Sequence, residues 1–214
     1  MSRAPWPVGL AFGLALAVLV TLAGPLLLFN PWFTATLQSR HHVADALGVS
    51  AAEVDRITGS ILADLYAGGD FGVTLNQAPV LDAAERSHMQ DVSRLLRLLW
   101  AVTGVAAAAV VLCAALLWRE RGRIGRLMVA SAGGVGAIAV VLAIAFAVAF
   151  DAAFLAFHAI FFPPGTYLFP AGSELIVLFP QLFWFDAALA AGASIVASAI
   201  LVTLIGWRLW RRHA

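Results

Sequence analysis

Four long apolar runs, at residues 8–29, 95–118, 124–150 and 182–207, constrain this chain more than any other feature. Each exceeds the roughly 20 residues that cross the hydrocarbon core of a bilayer as a helix. The chain is 62% hydrophobic and only 12% charged, against about 45–50% apolar in a soluble domain. The sequence therefore predicts an all-α integral membrane protein. A single membrane domain, 1–214, is expected, with four transmembrane helices and two connecting segments, 30–94 and 151–181. The run at 8–29 is longer than a signal-peptide core and lacks a convincing small-x-small cleavage site, so it reads as a retained span.

All thirteen basic residues are arginines, and their distribution predicts an orientation. Arg3 precedes the first span. Arg119, Arg121, Arg123 and Arg126 crowd the turn between the second and third, and Arg208, Arg211 and Arg212 follow the fourth. By the positive-inside rule, both termini and that turn are cytoplasmic. Segment 30–94 leans acidic and segment 151–181 has no arginine, so both are expected on the outer face. A net charge of +1 offers nothing to nucleic acid. The single Cys113 lies mid-span, where it supports neither a disulfide nor a metal cluster.

Chemistry is expected in the connecting segments. In "SAAEVDRITGSILADLYAGG", Ser50 and Glu53 have capping-box spacing, Val54, Ile57, Ile61, Leu62 and Leu65 form one stripe, and Gly68–Gly69 end it. The first connecting segment is thus partly helical, with the stripe packed on protein or laid on the bilayer. A second capping signal, Asp82 with Glu85, opens "DAAERSHMQDVSRLLRLLW", which has no Gly or Pro before the second span. That span's helix should begin outside the membrane, with His88 some 10 Å before the apolar core at 1.5 Å per residue. Glu85, His88 and Asp91 recur at three-residue intervals, so Asp91 can reach His88. The pair reads as a base with an orienting carboxylate, or as part of a solvated stalk.

The second histidine lies in "AFHAIFFPPG" at the end of the third apolar run. His158 is surrounded by Phe154, Phe157 and Phe161, with Asp151 two turns earlier on the same face. Alone it reads as an interfacial ring that snorkels to water. Two histidines arriving from separate helices at a similar depth instead suggest function, because ionisable groups near hydrocarbon are costly. The proline-punctuated aromatic stretch that follows, with Tyr167, reads as a cover over a pocket between helices. Non-helical backbone survives at such depth only where protein or a water-filled cavity shields it. Asp186, one turn into the fourth span, is expected to face that pocket.

The block "HMQDV" at the head of the second span and "FHAIFF…LIVLFPQLFWFDA" between the third and fourth resemble the bacterial family of lipoprotein intramolecular transacylases (Lit). H-x-x-F-F followed by L-I-x-L-F-P-x-x-F-W is a pattern that hydrophobicity alone would not produce. Tyr167 stands where the family carries tryptophan, and Glu174 where it carries aspartate. The resemblance implies an enzyme of the bacterial cytoplasmic membrane whose partners are diacylated lipoproteins and membrane lipids. It implies transfer of the sn-2 acyl chain of the diacylglyceryl-cysteine to that cysteine's own amino group, giving lyso-form lipoprotein without a cofactor. The site residues it implies are His88, His158 and Asp91 for catalysis, and Asp151, Phe154, Phe157, Phe161, Tyr167 and Asp186 around the substrate.

The expected assignment is His88, steadied by Asp91, as base toward the amine, with His158 stabilising the oxyanion or protonating the leaving oxygen; the two roles can also be exchanged. A transient acyl-histidine is a further possibility. Two other classes compete: a metal-dependent membrane hydrolase, which lacks any H-E-x-x-H spacing, and a non-enzymatic four-span scaffold or lipid-binding protein. Oligomeric state is left open.

Overall fold

The computed structural model describes residues 5–213. Nine helices and one two-stranded hairpin are present among them, and four helices are long and apolar enough to cross a membrane. These are α1 (Trp6–Leu27), α5 (Ala83–Leu116), α6 (Arg121–Val148) and α9 (Gln181–His213). The protein is an all-α multi-pass membrane protein.

Contacts divide the chain into two compact units. Among the described residues, the first comprises 5–26, Leu99–Ile144 and 190–213. Its core joins all four long helices: Phe12, Leu16 and Val20 of α1, Cys113 and Leu117 near the end of α5, Ile124 and Ala132 of α6, and Ala199 of α9. Apolar surface on every side gives no hydrophobic reason for the helices to associate in lipid, so close packing of small residues must hold them. Gly125 and Gly206 supply it. A Cβ on Gly125 would lie 2.6 Å from the Gly206 carbonyl oxygen and 2.5 Å from the Trp210 amide nitrogen, and one on Gly206 would lie 2.6 Å from the Met128 Cβ. Gly24 gives Ser194 the same room, at 2.6 Å. Valines and isoleucines such as Val105, Val111, Ile138 and Val141 stay exposed, as lipid-facing positions require.

The second unit comprises Leu27–Leu98 and Ala145–Leu189. Besides one end of several long helices, it contains α2 (Pro31–Arg40), α3 (Val43–Leu47), α4 (Ala51–Ala67), the hairpin β1 (Thr74–Leu75) and β2 (Ala78–Pro79), α7 (Phe150–Phe161) and α8 (Glu174–Leu178). The expected amphipathic helix is α4. The Ser50 side chain accepts from the Glu53 amide, and left-handed Gly68 (φ 75°) ends the helix. Its stripe packs on protein, with Val54, Ile57, Ile61, Leu62 and Leu65 all buried. On its exposed side, the Arg56 guanidinium donates to Glu53 and holds that carboxyl below its usual range.

Buried polar contacts knit this unit. Gln38 of α2 donates through Nε2 to the Leu178 carbonyl of α8 at 3.0 Å and shares a hydrogen bond with Thr58 of α4. Ser93 of α5 donates to the Leu65 carbonyl at 2.8 Å. Phe71 is fully buried in the left-handed region (φ 57°), a conformation costly for an aromatic residue. Its amide donates to the Asp64 carboxylate at 2.8 Å, which holds it there.

Two features differ from expectation. The first connecting segment contains α2 and α3 as well as α4. The third apolar run does not continue as one helix to His158: α6 stops at Val148, Ala149 takes φ −132° and ψ 46°, and α7 begins at Phe150.

Candidate active site

Two helices of the second unit bring the histidines together. Asp82 and Glu85 form a reciprocal capping box, each carboxylate accepting the other residue's amide at 2.8 Å. This fixes the start of α5, and His88 follows one turn later. Neither oxygen of Glu85 is idle. Its second one accepts the Leu175 amide at 3.0 Å, so a carboxylate with 2% exposure ties α5 to α8 across 90 residues of sequence. A buried carboxylate is tolerated where its oxygens accept such hydrogen bonds.

His158 comes from α7. Its ring centroid lies 6.0 Å from that of His88, at an interplanar angle of 27°. Phe162 packs edge-on to His88 at 4.9 Å and Phe169 lies at 5.6 Å. Around His158 stand Phe154 at 4.2 Å, Tyr167 at 5.3 Å and Phe157 at 5.4 Å. The two imidazoles thus share an aromatic enclosure.

Their ring nitrogens are held differently. The Nδ1 of His158 lies 2.8 Å from the Phe154 carbonyl oxygen. A carbonyl only accepts, so Nδ1 carries the proton, and Nε2 is the basic nitrogen of the neutral ring. His88 is 6% exposed, and its buried Nδ1 has no partner among the described residues. Such an atom costs about 1–3 kcal/mol unless something meets it.

The carboxylates expected here are hydrogen-bonded by other groups. Asp91 is three residues from His88, yet its carboxylate is taken by Arg94; a charged guanidinium one turn on is the stronger donor. Asp151 accepts from Gln181. Asp186 is held by His41 Nε2 at 2.9 Å, with the Arg40 Nε at 3.4 Å. Phe161 touches Phe157 at 4.9 Å and no histidine ring among the described contacts. Of the expected residues, His88, His158, Phe154, Phe157 and Tyr167 meet ring to ring, Phe161 joins them through Phe157, and Asp91 acts on His88 through its charge, while Asp151 and Asp186 are engaged by Gln181 and His41. Sequence reasoning passed over Phe162, Phe169 and the bridging role of Glu85. Among the described residues, no three of His, Cys, Asp or Glu converge as metal ligands.

Fold and site define a multi-pass helical membrane protein with a cluster of aromatic rings around two imidazoles. The sequence profile of the family described as lipoprotein intramolecular transacylase Lit matches residues 9–184. The chain belongs to that family, and it is an enzyme of the acyltransferase type. Its structure is similar to that of the membrane integral lipoprotein intramolecular transacylase Lit from Bacillus cereus, with a TM-score of 0.86 at 17% identity, over 96% of this chain and 95% of that one. Two structures of variants of the Bacillus cereus protein, with one histidine replaced by arginine or by alanine, are also similar. Both have a TM-score of 0.79 at 16% identity over 96% of this chain, covering 91% and 93% of theirs. No curated protein sequence matches the chain.

Proposed function

We propose that this protein moves the sn-2 acyl chain of a diacylglyceryl-cysteine lipoprotein to the α-amino group of the same cysteine, with His158 as base and His88 as its partner. One observation carries the assignment of roles. The hydrogen bond from His158 Nδ1 to the Phe154 carbonyl leaves Nε2 with the lone pair of the neutral ring. Asp91, hydrogen-bonded to Arg94, acts on His88 through its charge.

An α-amine with a pKa near 8 is largely protonated at neutral pH and must lose a proton before it attacks. His158 Nε2 accepts that proton. The amine nitrogen then bonds to the ester carbonyl carbon, and the tetrahedral oxyanion needs a donor. His88, 6.0 Å away between ring centroids, supplies an N–H to it. The bond from carbonyl carbon to glyceryl oxygen breaks, and that oxygen takes up a proton from the imidazole pair as it leaves. The nitrogen sheds its second proton to solvent as the amide forms, so an ester and a protonated amine become an amide, a free hydroxyl and one released proton, and no coenzyme enters. The aromatic rings exclude bulk water that would otherwise hydrolyse the ester. Proximity contributes the rest, since donor and acceptor are tethered in one molecule.

The arginine distribution supports termini in the cytoplasm and a site on the outer face, where acyl chains of a lipoprotein remain in the bilayer. Mass spectrometry of a lipoprotein N-terminus, after incubation with the purified enzyme, tests the reaction. The N-acyl, lyso-form product should appear at unchanged total mass, because the transfer is an isomerisation. A loss of one acyl chain by hydrolysis would contradict the proposal.

A further inference from the structure

The first unit has a second built feature, at the turn that joins α5 to α6. A cleft of about 1000 Å³ opens there, lined among the described residues by Arg119, Arg121, Arg123 and Arg126 with the carboxylate of Glu120, and by Trp6, Trp118 and Trp210 beside them. Its walls are held in place. Arg123 donates to Glu120 at 3.1 Å and lies against Gly9 of α1, where a Cβ would come within 2.8 Å of its guanidinium. The Arg121 guanidinium stacks over the Trp118 ring at 4.4 Å. Stacking uses the flat face of a guanidinium and leaves its in-plane N–H groups to bind an anion. Arg126 is also exposed. In the last turns of α5, the helix that leads to Trp118, Leu116 and Leu112 lie one turn apart and are 59% and 63% exposed.

A requirement for positive charge at a helix end would be met by arginines on an open surface. Here they line a concavity together with indoles, and the helix leading to Trp118 bears an apolar track, which is the chemistry of a phosphate joined to a glycerol backbone and acyl chains. We propose that this cleft binds the headgroup phosphate of an anionic phospholipid. Arg121 and Arg126 grip the phosphate, the tryptophans flank the glycerol, and an acyl chain runs along Leu116 and Leu112. Basic pockets between membrane helices hold anionic headgroups through the same forces. Free phosphate shares the charge but has no use for the indoles or the leucine track.

The test uses the full chain in nanodiscs that contain phosphatidylcholine with a minor fraction of phosphatidylglycerol. After transfer to mild detergent, native mass spectrometry counts the lipids retained. One phosphatidylglycerol should be kept in preference to phosphatidylcholine. Arg121→Gln and Arg126→Gln should each lower that preference roughly fivefold, as expected for about one arginine–headgroup contact, and Arg121→Lys should restore much of it. Arg208→Gln, on α9 outside the cleft lining, should leave it unchanged. Inorganic phosphate in excess should not displace the lipid. Equal retention of the two lipids by the unaltered protein would overturn the proposal without recourse to any variant. So would displacement by inorganic phosphate, which would mark a free-anion site, or an equal loss in Arg208→Gln, which would mark diffuse charge. The readout is binding, so it stands apart from the transfer reaction.

Discussion

Gly125 and Gly206 in the first unit, and Glu85 and Gln38 in the second, serve the same purpose by opposite means. The glycines close one helix on another by removing side chains, leaving contacts of 2.5–2.6 Å for any Cβ that would intrude. Glu85 and Gln38 close their elements with buried hydrogen bonds of about 3.0 Å to the Leu175 amide and the Leu178 carbonyl. The first means suits lipid, where apolar surface costs nothing and a polar contact is rarely needed. The second suits a region that must hold imidazoles at set positions, because hydrogen bonds are directional and dispersion is not. The difference teaches that scaffold and chemistry are separable here: damage to the first unit should cost stability, and damage to the second should cost turnover.

The largest expected effect belongs to the histidines. His88→Ala and His158→Ala should each lower turnover by on the order of 100 to 10,000-fold, with the thermal midpoint of the purified protein nearly unchanged. Lyso-form product measured against time, beside a melting curve, checks both halves. A fall in stability as large as the fall in rate would erase the distinction between the units.

Gly125→Leu is the matching change in the first unit. It forces a side chain into backbone atoms of α9, and overpacking of this kind costs about 1–3 kcal/mol or more. The variant should melt earlier, while the molecules that remain folded keep their turnover. Glu85→Ala should be intermediate. It removes the acceptor for two backbone amides, each left unmet at about 1–3 kcal/mol, and frees α8 from α5. A reduced kcat is expected, largely recovered in Glu85→Gln, whose amide oxygen can still accept one of the two. The smallest effect is expected at Asp91. Its partner Arg94 is 67% exposed and such pairs contribute about 0.2–1 kcal/mol, so Asp91→Asn should change turnover by less than about threefold. A loss comparable to that of His88→Ala would restore Asp91 as the orienting group.

Local signals carried much of the fold. Ser50 with Glu53, Asp82 with Glu85 and Gly68 marked helix ends that the structure contains, since a cap is made by residues three apart. The same kind of signal was present for α2 and passed unread: Asn30 accepts the Phe33 amide at 3.0 Å with Pro31 at the first helical position. The break at Ala149 had no such mark, because "AFAVAFDAAF" contains neither glycine nor proline. The pairing of the two histidines was legible from their motifs, but the fate of the carboxylates was not. Asp91 has His88 three residues before it and Arg94 three residues after, and spacing alone cannot choose between them. Asp186 is held by His41, 145 residues away, and Asp151 by Gln181, 30 away. Partners that distant are set by tertiary packing, which no local pattern encodes.

Intramolecular transfer by the imidazole pair can be put to an isotope crossover. Two lipoproteins are mixed, one with a heavy sn-2 chain on a light peptide, the other with a light chain on a heavy peptide, and the purified enzyme acts on both. A tethered ester has an effective concentration far above that of any neighbour in the bilayer. Each N-acyl product should therefore keep its original chain with its original peptide, and His158→Ala should make neither. Substantial exchange of heavy and light chains between peptides would contradict the account, since it requires an acyl group that leaves its own molecule before it reaches an amine.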